Sequence, residues 1–497
     1  MTEIETTSNK HYGRILTIYC VGLLIGGLYV GMVAPVRTVV QAQFGLDDSV
    51  GIWMINIYTL FYAALIPVIG KIADKHGRNL VFGFCVLIFM AGATMCGLSS
   101  HAGGYWLLLA GRVVQAAGAG GMIPVATAEI GTTFPKEKRG FALGVAAGVS
   151  GLANVLGAGV GSAVVGICGQ ENWSVMFFAS IPVCLALFIC VRVFLRKGTA
   201  DADTILSRMD WKGSVLLVLL VLFLLLGLKE IDFFNLGDTL AKAGTWGPLA
   251  AFAVCTVLFC FAENRAEDPV FHMEFLKNRA IVIVLIVSFL IGCIIVAMML
   301  IPEYAEVIMN APTGSGGYYM LVLGIFSMVG PPLGGKLIDR FGPKMVLMFG
   351  LAIMIIGYCY LAFFVSLAPS AAGLIIGLAL VGLGMGFAMG APTNYMILDN
   401  TSVDKSTSAI ATVTLIRQMG TTIAPAIYVG FITAGSRAGA GSSAAGVNAA
   451  DAGNALGNDA GSIGISGIAG YQHMLLCVAA FALAAIICTF LYRNPRK

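Results

Sequence analysis

Gly70-Lys71-Ile72-Ala73-Asp74-Lys75-His76-Gly77-Arg78-Asn79 is the stretch on which the fold turns. It is a charged, glycine-flanked turn set between two long apolar runs. A shorter echo, Gly335-Lys336-Leu337-Ile338-Asp339-Arg340-Phe341-Gly342-Pro343-Lys344, recurs in the second half of the chain. A hydrated turn of this kind, repeated once per half between apolar runs, points to a duplicated bundle of membrane-crossing helices.

The composition agrees. Of 497 residues, 58% are hydrophobic and only 11% are charged, where a soluble domain carries about 25% charged residues. The mean hydropathy is +0.91. So few charges could not cover a soluble core of this size, so most of the surface must face lipid. The 63 glycines fit that setting, because small residues let membrane helices approach closely. The net charge of +4 gives no reason to expect a nucleic-acid partner. The 12 cysteines form no C-x-x-C pair and mostly sit in apolar runs, so they read as small buried residues. The polar first dozen residues show no cleavable signal pattern, and the first apolar run reads as a retained span.

A membrane-crossing helix needs about 20 apolar residues. Fourteen candidate runs lie near 13–35, 50–70, 79–99, 105–132, 141–166, 174–195, 214–229, 247–262, 280–308, 318–338, 345–366, 372–398, 407–434 and 472–492. They are too long, and too free of strict alternation, for barrel strands. With the N-terminus inside, 23 of the 29 lysines and arginines fall on the inner side. That bias favours an even number of spans and cytoplasmic termini. The expected fold is an all-α integral membrane protein with 14 transmembrane helices. Residues 1–197 and 280–497 each form a six-helix bundle, and 198–279 hold an inserted two-helix hairpin. The segment from Gly435 to Gly470, almost all Gly, Ala, Ser, Asn and Asp, reads as a flexible outer loop.

Several polar residues stand out against this apolar background. Asp74 and Arg78 are spaced i, i+4, and Asp74 can pair with a cation or cap a neighbouring helix N-terminus. With Asp339 and Arg340 in the second copy, they are candidates for a conformational latch. Arg112 lies inside the fourth span, in Gly111-Arg112-Val113-Val114-Gln115, followed by a glycine-rich stretch. A cation there is expensive and faces a wet cavity or a partner, with Gln115 on the same face. Arg417 and Gln418 in the thirteenth span are the second such pair and are assigned to a cavity or gate. Glu303 and Glu306, one turn apart in the ninth span, and Glu129 at the inner end of the fourth are the carboxylates within reach of the bilayer. A carboxyl in a low-dielectric site can exchange protons near neutral pH, so these three are the proton-coupling candidates. Pro124, Pro182, Pro302, Pro331, Pro332, Pro392 and Pro425 are expected to interrupt spans.

These motifs together resemble the 14-span drug-proton antiporter branch of the major facilitator superfamily. The resemblance rests on Gly70 to Asn79, on Gly111 to Gln115 with its glycines, on Pro332 to Pro343, and on Arg417-Gln418-Met419-Gly420, and it covers nearly the whole chain. It implies an inserted hairpin, a long last outer loop and antiport of drug-like molecules. The first span, Gly26 to Pro35, lacks the aspartate of many such antiporters, so coupling must use other carboxylates. In the fifth span, Gly157-Ala158-Gly159-Val160-Gly161 keeps the glycines but has no proline.

The expected function is proton-coupled efflux of drug-like or amphipathic small molecules by alternating access. The partners are a small-molecule substrate, protons and the lipid bilayer of the cell membrane, with the protein monomeric and without a cofactor. A metabolite or lipid transporter on the same scaffold, or a non-transporting membrane sensor, is the alternative. An enzyme is disfavoured, because His11, His76, His101, His272 and His473 all fall in loops or at span ends and form no catalytic or metal-binding cluster.

Overall fold

The computed structural model describes residues 2–33, 36–51, 53–195, 211–229, 243–263, 274–310, 317–389, 391–439 and 465–492. Among these residues every regular element is helical. The glycine- and alanine-rich segment 440–464 and the segments 196–210 and 264–273 flanking the expected hairpin lie outside the described residues.

In the first part of the chain the principal helices are α1 (Thr2–Gly31), α2 (Trp53–His76), α3 (Arg78–Leu98), α4 (Gly104–Thr133), α5 (Lys136–Cys168) and α6 (Ser180–Phe194). Next come α7 (Trp211–Lys229) and α8 (Ala243–Glu263). Then follow α9 (Arg279–Val296), α10 (Ile301–Met309), α11 (Gly317–Phe341), α12 (Pro343–Tyr360), α13 (Ala371–Ala388), α14 (Ala391–Asp399), α15 (Ser406–Gly439) and α16 (Ile465–Leu491).

Ten helical stretches among the described residues are long and apolar enough to cross a membrane. Two shorter apolar helices, Lys212–Gly227 and Trp246–Ala262, fall where the hairpin is expected. Helices α5 and α15 run 33 and 34 residues, more than the length a bilayer requires. The chain is a multi-pass membrane protein.

Both copies of the repeated turn end in the same backbone device. Gly77 and Gly342 sit at the N-caps of α3 and α12 with φ of +91° and +85°. Glycine adopts that region without a Cβ clash, so one residue separates two long helices at each turn. Prolines act in two ways. Pro124, Pro331, Pro332 and Pro425 lie inside helices. Pro182, Pro302 and Pro392 instead fall in the first turn of α6, α10 and α14. A missing N–H does little harm in a first turn, where that group has no helical partner.

The packing divides the chain into two units. Unit 1 comprises residues 1–222, 255–275 and 397–415; unit 2 comprises 223–254, 276–396 and 416–497. The division leaves the start of α15 with unit 1, although it is distant in sequence. In unit 1, α4 packs on α2 and α3, and α1 packs on α5. In unit 2, α13 packs on α11 and α12, and α16 packs on α9 and α12. Glycine makes the closest approach possible: a Cβ on Gly118 would stand 2.4 Å from the Phe89 backbone nitrogen. On α3, Phe82, Cys85, Val86 and Phe89 are buried while Leu80, Phe84 and Ile88 are exposed. The exposed face is as apolar as the buried one, the arrangement that lipid favours.

Candidate functional site

The first turn motif builds a polar cluster in unit 1. The Asp74 carboxylate accepts from the backbone N–H of Thr407 at 3.0 Å, and from both the backbone N–H and the hydroxyl of Ser408 at 2.7 Å. These are orphan amides of the first turn of α15, so the carboxylate caps that helix and meets the positive end of its dipole. Arg78, 3.6 Å from Asp74, spreads its guanidinium over the same turn. It donates to the hydroxyls of Thr407 and Thr132 at 2.8 Å, to the hydroxyl of Ser406, and to the carbonyl of Val403. Its Nη1 also reaches Glu129 at 3.3 Å. The planar five-donor fork of arginine allows this many partners at once. Beside the cluster, Arg139 pairs with Asp399 at 3.4 Å.

Glu129 therefore stands with Arg78, and its other oxygen accepts from the Thr133 hydroxyl at 3.2 Å. The sequence motifs do not single out Thr132, Ser406, Thr407 or Ser408. The signal available was the hydroxyl run Ser406-Thr407-Ser408 opening an apolar helix, a composition favoured at helix starts.

The second copy of the turn differs. Asp339 is half-buried and Arg340 is exposed, with its guanidinium over the Phe341 ring at 5.3 Å. Aligning Gly335 to Gly342 on Gly70 to Gly77 places Pro343 where the first copy has Arg78, and proline has no side-chain donor. Lys344, the next residue, donates to the carbonyls of Phe490 and Tyr492 at 2.8 and 2.7 Å. It closes the C-terminal end of α16, where a cation is favoured.

A second cluster lies deeper in unit 1. Arg112 is completely buried. Its Nε donates to the Met54 carbonyl at 3.1 Å, and its Nη1 to Oε1 of Gln115 at 2.6 Å. The guanidinium lies 4.0 Å from the centre of the Tyr58 ring. Nη2 of Arg112, Nε2 of Gln115 and the Tyr58 hydroxyl are buried without a hydrogen-bond partner. Taking an ion this far from water costs several kcal/mol. Two charge-assisted hydrogen bonds at about 1.5–3 kcal/mol each and a desolvated cation–π contact at about 2 kcal/mol offset much of it. The unsatisfied Nη2 then carries a further penalty of about 1–3 kcal/mol. The sequence pattern does not distinguish Tyr58 from the apolar residues around it.

Unit 2 holds the remaining candidates. Glu303 and Glu306 are half-buried on α10, and Tyr471 of α16 lies beside Glu303. Oε1 of Glu303 and the Tyr471 hydroxyl are buried without a hydrogen bond of acceptable geometry. The neighbouring Tyr304 hydroxyl donates to the Leu361 carbonyl at 2.9 Å, at the π-helical turn Leu361–Val365. Arg417 and Gln418 are half-buried on α15. There α9 and α15 nearly touch: a Cβ on Gly292 would stand 2.1 Å from the Arg417 carbonyl oxygen, and one on Gly420 would stand 2.2 Å from that of Phe289. An apolar pocket close by is lined by Ile291, Ile294, Ile295, Met354, Met385 and Met389.

The chain belongs to the Major Facilitator Superfamily, whose sequence pattern matches residues 19–425. Among its relatives is an uncharacterised MFS-type transporter, YfiU, of Bacillus subtilis strain 168. It is 31% identical over 434 residues, covering 86% of this chain and 81% of the relative. Multidrug resistance protein 3 of the same organism is 26% identical over 442 residues, with 86% and 81% covered. The fold is similar to that of the human organic anion transporter MFSD10, with a TM-score of 0.63, 12% identity, and 96% and 99% of the two chains covered. The chain is thus a membrane transporter for a small molecule and not an enzyme.

Proposed function

We propose that this transporter exports amphipathic, drug-like molecules in exchange for protons. It would belong to the 14-span drug-proton antiporter branch and reside in the cell membrane with both termini cytoplasmic. The observation that carries the reading is the Asp74 and Arg78 cluster on the first turn of α15. Such a cluster is a reversible lock: every bond in it is a hydrogen bond or ion pair at a helix end, which water can replace when the contact opens. A contact of that kind can form in one conformation of a transporter and open in another.

Three further observations support the reading. Helices Lys212–Gly227 and Trp246–Ala262 stand where a hairpin would be inserted. The apolar crevice lined by Met354, Met385 and Met389 is bordered by polarisable, adaptable side chains. Glu303, partly withdrawn from water beside Tyr471, is the carboxylate best placed to carry the proton, with Glu306 one turn away. Arg417 and Gln418 are assigned to gating, where α9 and α15 run closest.

The test uses proteoliposomes with an imposed pH gradient and ethidium as the transported probe. Ethidium should accumulate only while the gradient lasts and leave when an ionophore collapses it. Accumulation that ignores the gradient would exclude proton coupling.

A further inference from the structure

At the end of α12 the helix widens into the π-helical turn Leu361–Val365. A π turn takes one extra residue into the helix, so its carbonyls leave the regular ladder, and such turns recur at functional sites. Here two of them are answered from other helices of unit 2. The Leu361 carbonyl accepts from the Tyr304 hydroxyl of α10 at 2.9 Å, and the Ala362 carbonyl accepts from Nε2 of Gln472 on α16 at 3.1 Å. Each donor is the chain neighbour of one member of a pair: Tyr304 follows Glu303, and Gln472 follows Tyr471. Tyr304 and Tyr471 are both 0% exposed, and their rings meet with centres 5.9 Å apart. Beside each other, Oε1 of Glu303 and the Tyr471 hydroxyl are both buried with no other hydrogen-bond partner. One turn of α12 therefore ties down both sides of an acceptor and donor pair.

We propose that this π turn is the positioning element of the proton site: acting through Tyr304 and Gln472, it holds Glu303 against Tyr471, whose hydroxyl serves the ionised carboxylate. The inference rests on Glu303 as the proton carrier and names what controls it. When the Glu303 O–H bond breaks, the proton passes to water on the open side of the site and the bonding pair stays on the carboxylate. Tyr471 keeps its own proton and donates a hydrogen bond to Oε1, which favours the charged form. A hydroxyl hydrogen rotates to suit its acceptor, so a small side-chain movement makes or breaks this bond. Tyr304 and Gln472 are positioning residues, their donors engaged at the π turn. Other titratable groups around the pair are few. Glu306 lies one turn along α10, and α16 adds the exposed His473. Helix α11, which packs on α10, has Tyr319 near its start and carries Lys336, Asp339 and Arg340 only in its last six residues. The turns Ala297–Leu300 and Leu361–Val365 carry no titratable side chain.

The experiment is an infrared pH titration of the purified full-length protein in lipid nanodiscs, without substrate or gradient. The protonated-carboxyl band that Glu303→Gln removes reports the pH at which Glu303 loses its proton. Tyr471→Phe keeps the ring and deletes the hydroxyl, so that pH should rise by about one unit, the scale of one hydrogen bond to a charged group. Gln472→Ala and Tyr304→Phe should move it in the same direction. The double variant Tyr471→Phe, Gln472→Ala should move it no further than Tyr471→Phe alone, because Gln472 acts through Tyr471. Tyr428→Phe is the control: it deletes another buried hydroxyl of unit 2, one that donates to the Cys293 carbonyl at 2.8 Å, and should leave the titration where it is. If Gln472→Ala fails to fold, Tyr304→Phe cuts the other tie to the π turn by removing a single hydroxyl. An unchanged titration in Tyr471→Phe, or in both Gln472→Ala and Tyr304→Phe, would overturn the proposal. So would an equal shift in Tyr428→Phe, additive shifts in the double variant, or no band that depends on Glu303 at any pH. Because no transport is measured, failure here is distinct from failure of proton-driven export, which the ethidium assay reads alone.

Discussion

At the scale of single residues, Asp74 and Arg78 show how position changes what a charge does. Asp74 answers two backbone amides and a hydroxyl at the start of α15, a role no neutral side chain of its size fills. Asp74→Asn keeps the shape but turns half of the acceptor into a donor facing other donors. Losing one charge-assisted bond of about 1.5–3 kcal/mol shifts a conformational equilibrium by about tenfold or more. Transport by the variant should fall by at least about tenfold while probe affinity changes by less than about threefold. Ethidium flux and ethidium binding, measured on the same preparation, check this; an intact flux would return Asp74 to a purely topological part. Glu303 makes a different prediction. Glu303→Gln cannot release a proton, so gradient-driven accumulation should be lost while downhill exchange of labelled probe persists. If the Glu303→Gln, Glu306→Gln double variant still concentrates ethidium, the proton is carried elsewhere and Glu129 is the next residue to change.

At the scale of helices, close packing through glycine sets where the buried polar groups can stand. Gly118 lets α4 lie against α3, on the helix that carries Arg112. Replacing it by leucine should force the pair apart, at about 1–3 kcal/mol of overpacking. Gly151→Leu on α5 is the control, because a Cβ there meets nothing within 4 Å and leucine favours a helix over glycine. Thermal unfolding in detergent should show a clear loss for Gly118→Leu and none for Gly151→Leu; equal behaviour would contradict the packing. Much at this scale was legible in the sequence, since long apolar runs and glycine-flanked charged turns report directly on helix length and helix ends. What the sequence hid were partners distant along the chain. Arg78 meets Ser406 and Thr407, which lie 328 and 329 residues away, and nothing local in either segment names the other. Tyr58 was hidden for a different reason: a tyrosine in an apolar run looks like packing until a cation is seen over its ring. The second turn misled in one respect, because Asp339 and Arg340 copy the charges of the first while Pro343 stands in the place of Arg78.

At the scale of the whole molecule, the lysine and arginine bias predicts that both ends and the two charged turns face the cytoplasm. Two exposed positions, His101 and Lys138, allow a direct check in a cysteine-depleted background. An impermeant thiol reagent added outside intact cells should label His101→Cys and spare Lys138→Cys; labelling of both, or of Lys138→Cys alone, would contradict the orientation. Orientation sets the direction of the cycle, and the cycle sets the central claim: substrate movement and proton movement are one process. The most direct measurement is proton flux into or out of proteoliposomes, read by an internal pH dye, when substrates are added from a panel of amphipathic compounds under an imposed pH gradient. The account predicts that transported compounds, and only those, trigger proton movement opposite to their own, and that Glu303→Gln abolishes it. Transport of a compound with no accompanying proton movement would contradict it.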